Sequence, residues 1–371
     1  MIRLATVIET FAADFLAQYR NRLTAEHYRA LTALQQCRSD ASPMMQVKCT
    51  GCDHQKLVPH SCGHRHCPHC QHHESQQWLE RQLNKQVPAE YFLLTFTLPA
   101  EFRALTWAHQ SVVYAALMQC GWETVRTFSQ NDKQLHGTPG AIAVLHTNTR
   151  QMEFHPHLHL VMPAAALDGK QKRWRTKRRG KAKAGYLFNH TALAKVFRAK
   201  MLAAIEAAGL RLPPRHPETW VVDCKSVGNG DKALIYLGRY RYRGVIAEKD
   251  IVECGNGQVR FRYRNARSGK RESRTVSGAH FLWLVLQHVL PKGFRRARNF
   301  GFLHPNCKRL IALLHLMLKF DPRPAASWFK KRAPILCTCC GAVMVIAKTR
   351  IASTLRGALP VPVLAQGAMT M

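Results

Sequence analysis

His155-Pro156-His157-Leu158-His159-Leu160-Val161-Met162 sets an imidazole at every second position over its first five residues. Side chains alternate between faces on an extended strand, so the histidines share one face while Leu158 turns to the other, into a core. His157 and His159 can then share a metal ion. With 20 His in 371 residues, about one His-x-His pair arises by chance, and the plain alternative is a strand with a solvated histidine face. The neighbouring sequence carries more. Ala141–Thr147 is also strand-like, and the polar link between it and Phe154–Met162 predicts a hairpin. Tyr91–Leu98, an apolar and β-branched run between Pro88 and Pro99, reads as a buried strand.

Working outward, helical spacing covers residues 1–36, 101–130 and Thr191–Leu210, with shorter helices over Lys232–Tyr240, Phe281–Val289 and Cys307–Phe320. Val221–Cys224 is a short strand, and Gln258–Tyr263 with Glu272–Val276 forms a second hairpin around Ser268-Gly269. The class is α+β, with an antiparallel sheet and flanking helices. The division expected is an N-terminal helix and metal module over 1–85, a main domain over 86–305, and a C-terminal helical segment over 306–371.

The chain carries 55 Lys+Arg against 22 Asp+Glu, a formal net charge of +33. Such an excess repels itself and suits a protein whose partner is a polyanion. Nine of the cations fall in residues 170–183, read as a solvated loop, where Lys172, Arg173, Arg175, Lys177, Arg178 and Arg179 suit a phosphate backbone and Trp174 suits a base. Arg239 and Arg243, among the tyrosines of 236–242, and Lys292, Arg295 and Arg296 extend the set. No run reaches the ~18 apolar residues of a spanning helix, and Met1-Ile-Arg-Leu does not open a secretion signal. A cytoplasmic, nucleoid-associated protein with no membrane partner is expected.

Thirteen cysteines are present, eight of them in two tight groups. Cys49-x-x-Cys52 and Cys67-x-x-Cys70 are two knuckles separated by residues 53–66, and together they fill the tetrahedral shell of a structural Zn²⁺. Cys62, His64 and His66 are alternative ligands between them. A further half-motif, Cys337-Thr-Cys339-Cys340-Gly341, needs partners, for which Cys307 and His304 are the candidates.

Tyr236 and Tyr240, four residues apart, share one face of a helix. Paired tyrosines at that spacing are commonly core residues. Tyrosine is also a covalent nucleophile when a cation helps form the phenolate.

The order of these motifs resembles the rolling-circle transposases of the insertion sequence 91 family, within the HUH endonuclease superfamily. The stretches that carry the likeness are Ser61-Cys-Gly-His-Arg-His-Cys-Pro-His-Cys70, Phe96-Thr-Leu-Pro99, Gly140-Ala-Ile-Ala-Val-Leu-His-Thr147 and His155-Pro-His-Leu-His159. Val196-Phe-Arg198, Tyr236-Leu-Gly-Arg-Tyr240, His288-Val-Leu-Pro-Lys-Gly-Phe294 and Asn299-Phe-Gly-Phe-Leu303 follow in the family's order. Asn148 stands where the family often has Trp, and Thr338 where Pro is usual. The resemblance implies an HUH nuclease domain behind a small zinc-binding domain, acting on single-stranded DNA. It implies that His157 and His159 hold a catalytic Mg²⁺ or Mn²⁺; no motif settles the third ligand, for which His146 is the first choice because the hairpin could bring it beside His157, with Glu153 and His155 next. It also implies that Tyr236 and Tyr240 are the nucleophiles, cutting and rejoining strands through a 5′-phosphotyrosine. A replication initiator or relaxase would share this chemistry, and a non-catalytic zinc-dependent nucleic-acid-binding protein is the alternative of another class. The chain contains no G-x-x-x-x-G-K-[ST] phosphate loop.

Overall fold

The histidine strand, Phe154–Pro163, lies inside an antiparallel sheet. Its neighbours are Thr138–Asn148 on one side and Tyr91–Thr97 on the other. The sheet continues past Tyr91–Thr97 to Val222–Ser226, and past Thr138–Asn148 to Ala165–Asp168 and Arg173–Thr176. Ala297–Gly301 pairs with Gly140–Val144, on the far side of that strand from the histidines. This computed structural model describes residues 1–70, 72–169, 173–177, 187–242, 244–265, 268–322 and 334–352, without the side chains of residues 72, 73 and 239–242.

Alternation along the two central strands makes two different faces. Ala141, Ala143, Leu145, Leu158, Leu160 and Met162 turn one way, into a core shared with the helices Gln110–Asn131 and His190–Ala207. Ile142, Val144 and Val161 turn the other way and pack with Leu234 and Leu237 of the helix Asp231–Tyr242. His146, His157 and His159 continue that second face along the same strands, so the tyrosine helix and the histidines meet the same side of the sheet.

The chain forms two compact units that interleave in sequence. The sheet unit comprises residues 72–242 and 290–329. The other unit is assembled from 1–71, 243–289 and 330–371. It contains the helices Leu4–Tyr19, Ala25–Gln35 and Gly278–Leu286, and a meander of Ile251–Gly255, Gln258–Arg264 and Arg271–Ser277. Gly278 lets the third helix close on the first, since a Cβ there would stand 2.1 Å from the Phe11 ring. A separate small sheet runs in the order Ile335–Leu336, Val343–Ile351, Met44–Cys49, Gln55–Pro59.

The α+β class holds throughout. Two local expectations change. Residues 1–36 break after Tyr19, because Thr24 and His27 form a reciprocal capping box that starts a second helix. Within the basic segment, Arg173–Thr176 is a strand paired to Ala165–Asp168, and the rings of Trp174 and Phe302 meet edge to face with centroids 5.4 Å apart. Among the described residues, no helix is long and apolar enough to cross a membrane.

Candidate active site and cysteine centres

His146 and His157 are direct cross-strand partners, and His159 lies one pair further along the same face. The ring centroid of His146 stands 4.1 Å from that of His159 and 5.1 Å from that of His157. One nitrogen from each ring falls within 4.8 Å of the others, which is the reach of a single metal ion. Glu153 and His155, the other candidates for the third place, are not in this group.

The electrostatics suit ligands. Burial holds His157 down to about 4 and His159 down to about 3, the second helped by the charges of His157 and Lys225. His146 lies well below its ordinary value for the same reason, with His159, His157 and Arg296 adding to the effect. All three rings are therefore neutral near pH 7, with lone pairs to offer. His157 Nδ1 donates to the carbonyl of His155 at 2.7 Å, which fixes its tautomer and leaves Nε2 as the donor atom toward a cation. His159 Nδ1 is buried and makes no hydrogen bond among the described residues.

Tyr236 rises from the helix above this group. Its ring centroid is 6.1 Å from that of His146 and 6.0 Å from that of His159, and the residue is 49% exposed. Burial raises the phenol's pKa, and the positive charge of Arg150 lowers it. Arg150 belongs to no motif of the sequence. It sits in the link between the two histidine-bearing strands, and a lone cation in a polar link gave no signal by itself. The backbone of residue 240 lies one turn on in the same helix, while the side chains of Tyr240 and Arg239 lie outside the described residues.

The basic candidates separate into two kinds. Arg173, Lys292 and Arg295 are exposed. Arg175 pairs with Asp168 at 3.2 Å, and Lys177 pairs with Asp132 while also donating to the Leu187 carbonyl at 2.9 Å. Arg296 is buried, and its carbonyl accepts the Leu145 N–H at 2.8 Å, next to His146. Trp174 is a packing residue against Phe302 in this structure. Lys172, Arg178, Arg179 and Arg243 lie outside the described residues.

The expected zinc quartet Cys49, Cys52, Cys67 and Cys70 is not gathered in one place. Cys67 and Cys70 meet Cys37 and Cys62, with Sγ–Sγ separations of 3.3 Å (Cys37–Cys70), 3.5 Å (Cys37–Cys67) and 3.7 Å (Cys62–Cys70). Cys49 and Cys52 meet Cys337 and Cys340 instead. The cause is the small sheet, in which Val343–Ile351 pairs with Met44–Cys49 and brings the C-terminal knuckle to the first N-terminal one. Cys307, one expected partner of that knuckle, instead directs its thiol to the Gly301 carbonyl at 3.7 Å. Cys37 has no Cys-x-x-Cys companion, and only the fold shows it to be near the others.

Two family models match the chain. One, described as "Putative transposase", matches residues 140–310, and the other, described as "Transposase zinc-binding domain", matches residues 7–98. The first covers the three histidines and the tyrosine helix. The second covers Cys37, Cys49, Cys52, Cys62, Cys67 and Cys70. Among curated proteins, "Putative transposase y4qJ" of Sinorhizobium fredii is 32% identical over 323 residues, covering 81% of this chain and 80% of its own. "Transposase for insertion sequence element IS801" of Pseudomonas savastanoi pv. phaseolicola is 27% identical over 338 residues, covering 82% of this chain and 79% of its own.

Proposed function

The chain belongs to the insertion sequence 91 family of transposases, and on that premise we propose that it cleaves and rejoins single-stranded DNA through a 5′-phosphotyrosine link. The observation that carries this reading is the convergence of three neutral imidazoles and one tyrosine on a single face of the sheet.

His146, His157 and His159 would hold a divalent cation, which when bound would supply Lewis-acid polarisation of the scissile phosphate. Three imidazoles suit Mn²⁺ better than Mg²⁺, which prefers oxygen ligands in a regular octahedron. The remaining steps fall to the chain. Tyr236 gives up its phenolic proton, with the charge of Arg150 favouring the phenolate. The phenolate oxygen bonds to phosphorus as the phosphorus–O3′ bond breaks, and the departing 3′ oxygen takes up a proton. One phosphodiester replaces another, so rejoining by the free 3′-OH needs no ATP. Tyr240, one helical turn away, serves as the second acceptor. Arg173, Lys292 and Arg295 hold the strand by its phosphates. Cys37, Cys62, Cys67 and Cys70 hold a structural Zn²⁺, since Zn–S bonds of about 2.3 Å in a tetrahedron set sulfurs about 3.8 Å apart and the separations here are 3.3–3.7 Å. Cysteines that form no disulfide, together with a DNA substrate, support a location in the reducing cytoplasm, at the nucleoid.

The test uses single-stranded oligonucleotides spanning the element's ends, labelled on the 3′ side of the cut, with Mn²⁺ or Mg²⁺. A covalent protein–DNA adduct is expected from the wild type and is expected to vanish in Tyr236→Phe/Tyr240→Phe. His157→Ala/His159→Ala should lose cation-dependent cutting while still binding the strand. An undiminished adduct in the double tyrosine variant refutes the nucleophile assignment.

A further inference from the structure

We propose that Cys49, Cys52, Cys337 and Cys340 bind a second Zn²⁺, independent of the nuclease chemistry, and that this ion clasps the C-terminal strands onto the N-terminal hairpin. Neither matching family model reaches residues 337–340.

Geometry is the first support. The sulfurs of Cys49 and Cys340 are 3.4 Å apart, those of Cys52 and Cys340 3.6 Å, and those of Cys52 and Cys337 3.7 Å. These values approach the roughly 3.8 Å edge of a zinc tetrathiolate. They lie far beyond the ~2.05 Å of a disulfide, and all four cysteines are free. Four thiols pressed together without a cation have no electrostatic reason to stay so.

The two knuckles are also built alike. In each, the backbone N–H two residues on donates to the first sulfur, Gly51 to Cys49 at 3.2 Å and Cys339 to Cys337 at 3.4 Å. Such donors stabilise a thiolate over a thiol. Gly341 takes φ +73° and its N–H returns to the Cys337 carbonyl at 3.0 Å, closing the second knuckle. Gly51 lets the knuckles touch, because a Cβ there would stand 2.9 Å from the Ala342 Cβ.

A third support is the shortage of any other adhesive. Among the described residues, only Val47, Cys337 and Met344 are buried in the core cluster of this four-stranded sheet. Leu57, Leu336, Val343, Val345 and Ile346 are exposed. A core of that size cannot offset the entropy of ordering four strands, and a metal cross-link is the usual substitute in so small a module.

The two centres differ in access. Cys67 and Cys70 are buried in the first, whereas Cys340 is exposed in the second and His54 and Cys339 stand by as additional donors near Cys337. The second ion should therefore leave first.

The experiment measures zinc per chain in the purified full-length protein by elemental mass spectrometry. Two zinc ions are expected, released in two phases by a chelator. Cys337→Ser/Cys340→Ser should hold one, with the C-terminal strand then cut by a protease that spares the wild type. Cys339→Ser and Cys307→Ser should each keep two. If the double variant does not fold, cadmium-113 resonance of the metal-exchanged wild type decides, with two tetrathiolate signals expected. One zinc in the wild type, two retained in a folded Cys337→Ser/Cys340→Ser, or a single cadmium signal overturns the proposal.

Discussion

Replacing Gly301 with alanine should destabilise the sheet unit by about 2–5 kcal/mol, beyond the usual glycine-to-alanine effect. Gly301 ends the strand that pairs with Gly140–Val144, beside the strand segment that carries His146. Two costs add. Its φ of +57° is left-handed, which charges an L-residue roughly 1–2 kcal/mol. A Cβ would also lie 1.7 Å from the Pro139 carbonyl oxygen and 2.9 Å from the Trp122 ring, contacts that only a backbone shift can relieve. Overpacking of that kind typically adds about 1–3 kcal/mol. Gly209 supplies the control. Its φ of +73° is equally left-handed, but nothing lies within 4 Å of its would-be Cβ. Gly209→Ala should therefore cost only the backbone term, roughly 1–2 kcal/mol. Urea unfolding of the full chain, followed by far-ultraviolet circular dichroism, compares the two variants at matched denaturant slope. Mn²⁺ affinity at the histidines should weaken in Gly301→Ala and hold in Gly209→Ala. Equal losses of stability in the two variants would refute the argument, because backbone conformation alone would then explain both.

Four other outcomes follow from the electrostatics. Arg150→Gln should slow adduct formation and move its pH profile upward, since the guanidinium lowers the Tyr236 pKa; an unshifted profile counts against the role given to Arg150. Lys292→Ala/Arg295→Ala should reduce the salt dependence of single-strand binding by about 1.4 in the log–log slope, roughly 0.7 for each phosphate no longer neutralised. Lys177→Ala should leave that slope unchanged and lower stability instead, because its ammonium is committed to Asp132 and the Leu187 carbonyl. Burial holds His27 down to about 4 from 6.5, and its Nδ1 accepts the Thr24 N–H at 3.0 Å. The unfolded chain therefore binds the extra proton first, so this stability is complete above about pH 6.5 and is lost as pH falls toward 4. At 1.36 kcal/mol per pH unit, the total is about 3 kcal/mol. Denaturation of His27→Gln at pH 7 and pH 5 should show a smaller acid loss than the wild type.

Much of the candidate active face was legible because local rules govern it. The every-second-residue histidines fixed which side chains share a face, and the neighbouring apolar run fixed which face is core. The polar link made the hairpin, and the hairpin register set His146 opposite His157. Tyrosines four apart pointed to one helix face. In each case the interacting residues are close in sequence, or one turn joins them.

The rest depended on partners far apart in the chain. Thiolates are chemically alike, so Cys49 and Cys52 fitted Cys67 and Cys70 as well as they fitted Cys337 and Cys340. The strand pairing of residues 44–49 with residues 343–351 made the choice. Cys37 carries no motif and joins its centre only in three dimensions. Arg175, Lys177 and Trp174 read as a nucleic-acid grip from composition, and the fold sets them beside Asp168, Asp132 and Phe302, partners decided by sheet order and packing. By itself the sequence determined the kinds of chemistry present: imidazoles on one strand face, tyrosines on one helix, thiols in knuckles and a large positive charge. Which of these groups meet was decided by the tertiary structure, because a residue's reach ends within a few ångströms and only the folded sheet brings distant segments that close.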